Sequence, residues 1–185
     1  MAAEATQPLF NIVLLNPEIP NNTGNIGRTA AALRCRLHIV HPIGFDMDEK
    51  ARRRAGLDYW HLVDCVEHAS WDAFLERESP RRLWLFSARG TRDHFDAGFE
   101  RGDYLLFGKE STGVGPEVEA WVAGTYGVER LLRIPQPGTD RARIPADADG
   151  SDATPFVRSL NLATAVAIGG YEAYRQLAAS TNGGR

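Results

Sequence analysis

Five short runs along the chain are almost continuously apolar: Phe10 to Leu15, Leu37 to Val40, Leu83 to Phe86, Tyr104 to Phe107 and Leu131 to Ile134. A strand with one wet face alternates apolar and polar positions, whereas a strand covered on both faces does not, so these five predict buried strands. Between them, helical spacing of apolar positions predicts helices near 24–34, 48–55, 70–78 and 116–122, and a long one over 160–178. Strand and helix in alternation imply an α/β domain with a mainly parallel sheet and helices on both faces. The pattern fails from Pro135 to Thr154, where Pro, Gly, Asp and Ala recur without period. That stretch predicts an insertion over about 135–155, a long loop or partly disordered segment. The ends, 1–8 and 179–185, read as disordered tails around a domain spanning 9–178. No internal repeat is visible.

At 185 residues, 43% hydrophobic and 24% charged, the chain suits one soluble domain able to bury about 70% of its unfolded surface. Its apolar runs are too short to cross a bilayer, and the first residues carry no basic region followed by an apolar core; the expectation is a cytoplasmic protein with no membrane partner. Cys35 and Cys65 match no zinc or redox spacing and read as reduced structural thiols. The net charge of −3 argues against coating nucleic acid by charge alone, yet the basic residues are 19 Arg and only 2 Lys. Several are grouped: Arg34 and Arg36, Arg52 to Arg54, Arg81 and Arg82, Arg89 and Arg92. The guanidinium fork matches phosphate and stacks on bases, so these groups are either an RNA-facing surface or solvated helix charge.

Three polar, glycine-marked segments sit where loops meet regular structure. The first follows the opening strand: Asn16-Pro17-Glu18-Ile19-Pro20-Asn21-Asn22-Thr23-Gly24 is rich in turn formers, and Asn22 or Thr23 suits the cap of the next helix. Ile26, Ala30 and Leu33 recur at core spacing, which rotates Arg28 about 200° from Ile26 and leaves it with Asn25 on an exposed face. Such a pair suits a phosphate or a ribose hydroxyl, or it is plain helix surface. The second, Gly108-Lys109-Glu110-Ser111-Thr112-Gly113-Val114-Gly115-Pro116, takes over directly from a buried strand. Gly108 admits a ligand close to the backbone, Glu110 caps backbone amides, and Pro116 suits a first helical turn. It is no P-loop, since Gly-Lys is followed by Glu, and Gly24-Asn25-Ile26-Gly27 lacks the three glycines of a dinucleotide fingerprint.

The third segment is Arg158-Ser159-Leu160-Asn161-Leu162. Ser159 suits the cap of the long helix, with Asn161 in its first turn. Downstream, Ala163, Ala165, Ala167, Gly169 and Gly170 strip bulk from a helix where each glycine costs about 1 kcal/mol. That cost implies close packing, against a second subunit or within the chain.

Together, in this order, the three segments resemble the SPOUT superfamily of S-adenosylmethionine-dependent RNA methyltransferases, specifically its small SpoU-type tRNA ribose 2′-O-methyltransferases acting on the wobble nucleotide. The likeness covers about residues 10–178 and includes Leu37-His38-Ile39-Val40-His41-Pro42-Ile43-Gly44-Phe45 and Arg53-Arg54-Ala55-Gly56-Leu57-Asp58-Tyr59-Trp60. It implies a C-terminal trefoil knot, S-adenosylmethionine as methyl donor and S-adenosylhomocysteine as product, no metal, a homodimer with the active site at the subunit interface, and the tRNA anticodon stem-loop as partner, methylated at cytidine or uridine 34. Carried over by position, Phe86, Gly108, Ile134, Ser159 and Leu160 would line the cofactor site. Arg28, Glu110, Arg158 and Asn161 would be the polar residues nearest the transfer, with Asn25 supporting Arg28. A guanidinium stays protonated in proteins, so the implied part for Arg28 is to bind phosphate and polarise the hydroxyl, a phosphate oxygen or water taking the proton.

The chain departs from the resembled pattern in two places. The connection from Ile134 to Arg158 is long, brings Asp147, Asp149 and Asp152 near an RNA site, and repeats Arg133-Ile134-Pro135 as Arg143-Ile144-Pro145, so Ile144 competes with Ile134 for the cofactor wall. Thr112 stands where a basic residue is common. Two other functions fit the same segments: ribose methylation at another tRNA or rRNA site, and a catalytically silent RNA-binding protein.

Overall fold

The computed structural model describes residues 8–46, 58–136 and 159–182. Seven strands form one sheet: β1 (Asn11–Leu15), β2 (Arg36–Val40), β3 (Cys65–His68), β4 (Leu83–Phe86), β5 (Arg92–Asp93), β6 (Tyr104–Phe107) and β7 (Leu131–Arg133). Their order is β3-β2-β1-β6-β4-β7-β5, and every ladder is parallel. The helices are α1 (Pro20–Leu33), α2 (Trp71–Glu78), α3 (Pro116–Tyr126) and α4 (Leu162–Asn182).

Successive strand residues feed opposite cores. Ile12, Leu14, Leu37, Ile39, Phe86, Leu105 and Phe107 pack with Ile26, Ala30 and Leu33 of α1 and with Val166 and Ala173 of α4. Val13, Leu15, Val40, Leu85 and Leu106 pack with Phe74 of α2 and Val122 of α3. Burial on both faces is why these strands lack alternation, at about 1.5–3 kcal/mol for each large apolar side chain removed from water. β3 and β5 were not anticipated: β3 is a four-residue edge strand reading CVEH, and β5 has two residues. Neither has apolar residues enough to register as a run.

Three boundaries correct the sequence-based expectation. α1 starts at Pro20 instead of residue 24, so Asn22 and Thr23 lie inside its first turn, buried, and do not cap it; the capping position is Ile19, whose apolar side chain has no acceptor to offer. α4 starts at Leu162, and its cap is Asn161, not Ser159: the Asn161 Oδ1 accepts from the amides of Ala163 at 2.9 Å and Thr164 at 3.3 Å. These are the second and third helical positions, the two donors a cap side chain reaches. α4 also continues to Asn182.

Gly169 and Gly170 of α4 pack closely within the chain. A Cβ on Gly169 would stand 2.7 Å from the Phe86 ring, and one on Gly170 3.0 Å from Leu33. Pro116 opens α3 as anticipated, after Gly115 at φ +82, and Cys35 and Cys65 form no disulfide. The helix expected at 48–55, nearly all of the 135–155 insertion, Arg158 and Ile144 lie outside the described residues.

Candidate active site

In a parallel sheet the strands end on one edge, and ligands collect where the chain order reverses at that edge. Here β4, β6 and β7 end in a cleft of about 680 Å³. Phe86 and Phe107 lie opposite each other in register at the ends of β4 and β6. Their rings stack at 4.7 Å and line the cleft. Around them come Gly108, Glu110 and Val114 from the loop after β6, Ile134 just past β7, and Ser159, Leu160 and Asn161 from the turn before α4. All five residues anticipated for the cofactor wall therefore meet here, together with Glu110 and Asn161. Ile134 lines the cleft, while its sequence rival Ile144 lies outside the described residues.

The loops around the cleft are interlocked by reciprocal carboxylates. Glu110 accepts from the backbone amides of Glu18 at 2.8 Å and Ile19 at 3.3 Å, and from the Asn22 side chain at 2.8 Å. It thus supplies, from ninety residues away in sequence, the negative charge that α1 lacks at its own N-terminus. Glu18 answers by accepting from the amide and hydroxyl of Ser111 at 3.0 and 2.9 Å. Those bonds hold the Glu18 carboxyl below the usual carboxylate range.

Asn22 joins the third loop to this pair. Its Oδ1 accepts from the Asn161 side chain at 2.9 Å, so one buried amide bridges Glu110 and Asn161. Asn22 also lines the cleft and is the site residue that sequence reasoning missed. A buried Asn in the first turn of an amphipathic helix was the available signal, hidden because it was read as a cap.

Gly108 also answers to a packing constraint within its own loop. A Cβ there would run into the backbone of Gly113 and Val114, so glycine is required for the loop to close on itself, an arrangement tied by the Lys109–Gly113 bridge.

Asn25 and Arg28 are exposed on α1, as their spacing implied, but neither lines the cleft. The Arg28 guanidinium lies over the Tyr59 ring, 4.4 Å from its centroid. Most of the other arginine groups are engaged within the chain: Arg36 with Asp64 at 2.9 Å, Arg82 with buried Asp103 at 2.6 Å, and Arg89 with Glu119 at 2.9 Å. Arg52 to Arg54 lie outside the described residues.

A second polar group sits under α2. His38 Nδ1 is 3.0 Å from His68 Nε2, and His38 Nε2 is 3.3 Å from Asn11 Oδ1. Asn11 is fixed by donating through Nδ2 to the Gly102 and Asp103 carbonyls, so its oxygen faces His38 and requires a proton on Nε2. Nδ1 of neutral His38 then accepts from His68. Burial foremost, then the adjacent His68, pushes His38 down to about 3; burial also lowers His68.

The sequence profile of the SpoU rRNA Methylase family matches residues 9–140. The chain belongs to this family. A relative from Saccharophagus degradans, named tRNA (cytidine(34)-2′-O)-methyltransferase, is 43% identical over 169 residues, 91% of this chain and 96% of its own. A solved structure concerned with the 2-OH methylation of C/U34 on tRNA superposes with a TM-score of 0.74 at 43% identity, covering 94% of this chain and 99% of that one. An AdoMet-bound rRNA methyltransferase from Sinorhizobium meliloti superposes with a TM-score of 0.66 at 26% identity, over 91% of this chain and 56% of its own. SpoU methylases thus share this seven-stranded parallel sheet with its flanking helices.

Proposed function

We propose that the protein transfers a methyl group from S-adenosylmethionine to the ribose 2′-hydroxyl of the wobble nucleotide, cytidine or uridine 34, in the anticodon stem-loop of cytoplasmic tRNA. One observation carries the reading: in a SpoU methylase, Gly108, Ile134 and the Ser159-Leu160 turn converge on one cleft floored by stacked Phe86 and Phe107. The volume lies in the roughly 300–1,000 Å³ range of small-molecule sites. Its walls alternate apolar side chains with main-chain donors and acceptors, which suits a flat adenine with a polar edge. When bound, S-adenosylmethionine supplies a methyl carbon activated by an adjoining sulfonium.

The chain's own residues then have distinct parts. Phe86, Ile134 and Leu160 exclude water from the donor, while the backbone at Gly108 and Ser159 meets its polar edges. Glu110 and Asn161 act through position, because their polar atoms are already committed to α1, Asn22 and the start of α4. Arg28, supported by Asn25, grips the phosphate beside the target ribose and polarises its hydroxyl, with Arg158 as a second cation. Remaining protonated, Arg28 leaves the proton to a phosphate oxygen or water. Holding oxygen, carbon and sulfur in line contributes several kcal/mol by alignment alone.

Arg28 does not line the cleft of its own subunit, which favours a homodimer in which Arg28 of one protomer serves the cleft of its partner. Tyr171 and Tyr174, 54% and 41% exposed on α4, offer apolar surface for that contact. In this reading the C-terminal part of the parallel sheet is threaded into a trefoil knot.

The test is methylation of tRNA transcripts with S-adenosylmethionine, mapped by nucleoside mass spectrometry. A 2′-O-methylated nucleotide 34 is expected. A methyl group at another position, or cofactor binding without transfer, overturns the assignment.

A further inference from the structure

We infer that Tyr59 is a positioning residue that holds the Arg28 guanidinium in its working direction. The inference rests on the reading of Arg28 given above. Arg28 projects from an exposed helix face, and among the described residues its guanidinium has no hydrogen bond or ion pair; its contact is the Tyr59 ring, 4.4 Å away. An aromatic face holds a guanidinium by its plane and leaves the N–H edges free. Those edges are what a phosphate or ribose oxygen needs.

Tyr59 is itself fixed against the same helix. Its hydroxyl donates to the Gly24 carbonyl at 2.7 Å, the carbonyl that the Arg28 amide meets in an α-helix. Next to it, Trp60 lies so close over Gly27 that a Cβ there would overlap the ring. The short 3-10 turn Asp58–Leu62 is therefore seated on α1 through two consecutive residues, Tyr59 at Gly24 and Trp60 at Gly27, in the turn that precedes Arg28. A side chain with four rotatable bonds is thereby restricted to one direction without spending the groups that bind substrate.

The test compares tRNA binding by fluorescence anisotropy and single-turnover methylation in Tyr59→Leu, Tyr59→Phe, Arg28→Ala and the Tyr59→Leu/Arg28→Ala double variant. Tyr59→Leu is expected to lower binding and rate by about tenfold in total, from the lost cation–π contact and the misplaced guanidinium. S-adenosylhomocysteine affinity stays unchanged, and Tyr59→Phe, which keeps the ring, retains most of the activity. In the Arg28→Ala background, removing the ring costs nothing further. If it costs the same tenfold there, Tyr59 acts independently of Arg28 and the inference fails. An impaired Arg28→Ala beside an unimpaired Tyr59→Leu overturns the inference alone, whereas an unimpaired Arg28→Ala overturns the role of Arg28 and this inference with it. Should Tyr59→Leu melt early, Tyr59→Gln removes the ring while keeping a donor for Gly24, with the same outcomes expected.

Discussion

Acidification should weaken the fold through His38 before any carboxylate titrates. His38 is wholly buried and its proton affinity is pushed down to about 3, while in the unfolded chain it titrates near 6.5. Above pH 6.5 both states are neutral there and the term vanishes. As pH falls from 6.5 toward 3, only the unfolded chain gains the proton, so stability is present above the unfolded value and is progressively lost below it. One such group costs about 2 kcal/mol between pH 7 and pH 5, from 1.36 kcal/mol per unit of pH. His68 and His94, also lowered by burial, act in the same direction, so the His38 contribution must be isolated by difference. Urea unfolding at pH 7, 6 and 5, at fixed protein concentration, should show wild-type stability falling more steeply than that of His38→Gln by about 1 kcal/mol between pH 6 and 5. Parallel pH slopes for the two proteins would refute the neutral, Asn11-bound His38.

Asn22→Ala leaves both the Glu110 carboxylate and the Asn161 amide short of a partner, and chemical denaturation should register a loss of about 2–3 kcal/mol; a change within 0.5 kcal/mol, in the ordinary ~0.5 kcal/mol range of surface substitutions, would mean the bridge does not form. Glu110→Gln keeps the shape but removes the charge at the α1 N-terminus, so calorimetry should show S-adenosylhomocysteine affinity reduced about tenfold, equivalent to ~1.4 kcal/mol. Unchanged affinity would separate the interlock from the cleft. Gly169→Ala pushes a methyl group against Phe86, 2.7 Å away, and should cost about 1–3 kcal/mol by overpacking, with weaker cofactor binding; a neutral or stabilising result on thermal melting counts against the packing of α4 on the cleft floor.

What could be read along the chain, and what could not, divides by the range of the interaction. β1, β4 and β6 stand out because their neighbours on both faces are apolar, a property visible in each strand alone. The cofactor wall was legible because Phe86, Gly108, Ile134 and Ser159 each end or follow a regular element. Asn22, by contrast, looks like a local cap along the sequence, whereas its partners Glu110 and Asn161 lie far along the chain. The same holds for α1, whose missing cap is supplied by a distant carboxylate, and for Gly108, whose constraint comes from the loop folding back on itself. For Arg28 the spacing correctly indicated exposure but gave no sign of Tyr59, since a cation over a ring has no sequence period.

The all-parallel ladder also sets a schedule for biosynthesis. β1 is paired on one side with β2, which follows closely, but on the other with β6, with Asn11 opposite Tyr104. At ribosomal rates of 5–20 residues per second, that second neighbour emerges roughly 5–20 s after the first strand. Until then one edge of a strand that is apolar from Ile12 to Leu15 stays open to other chains, so yield in the cell should depend on translation speed and chaperone supply as much as on the equilibrium stability of the finished domain.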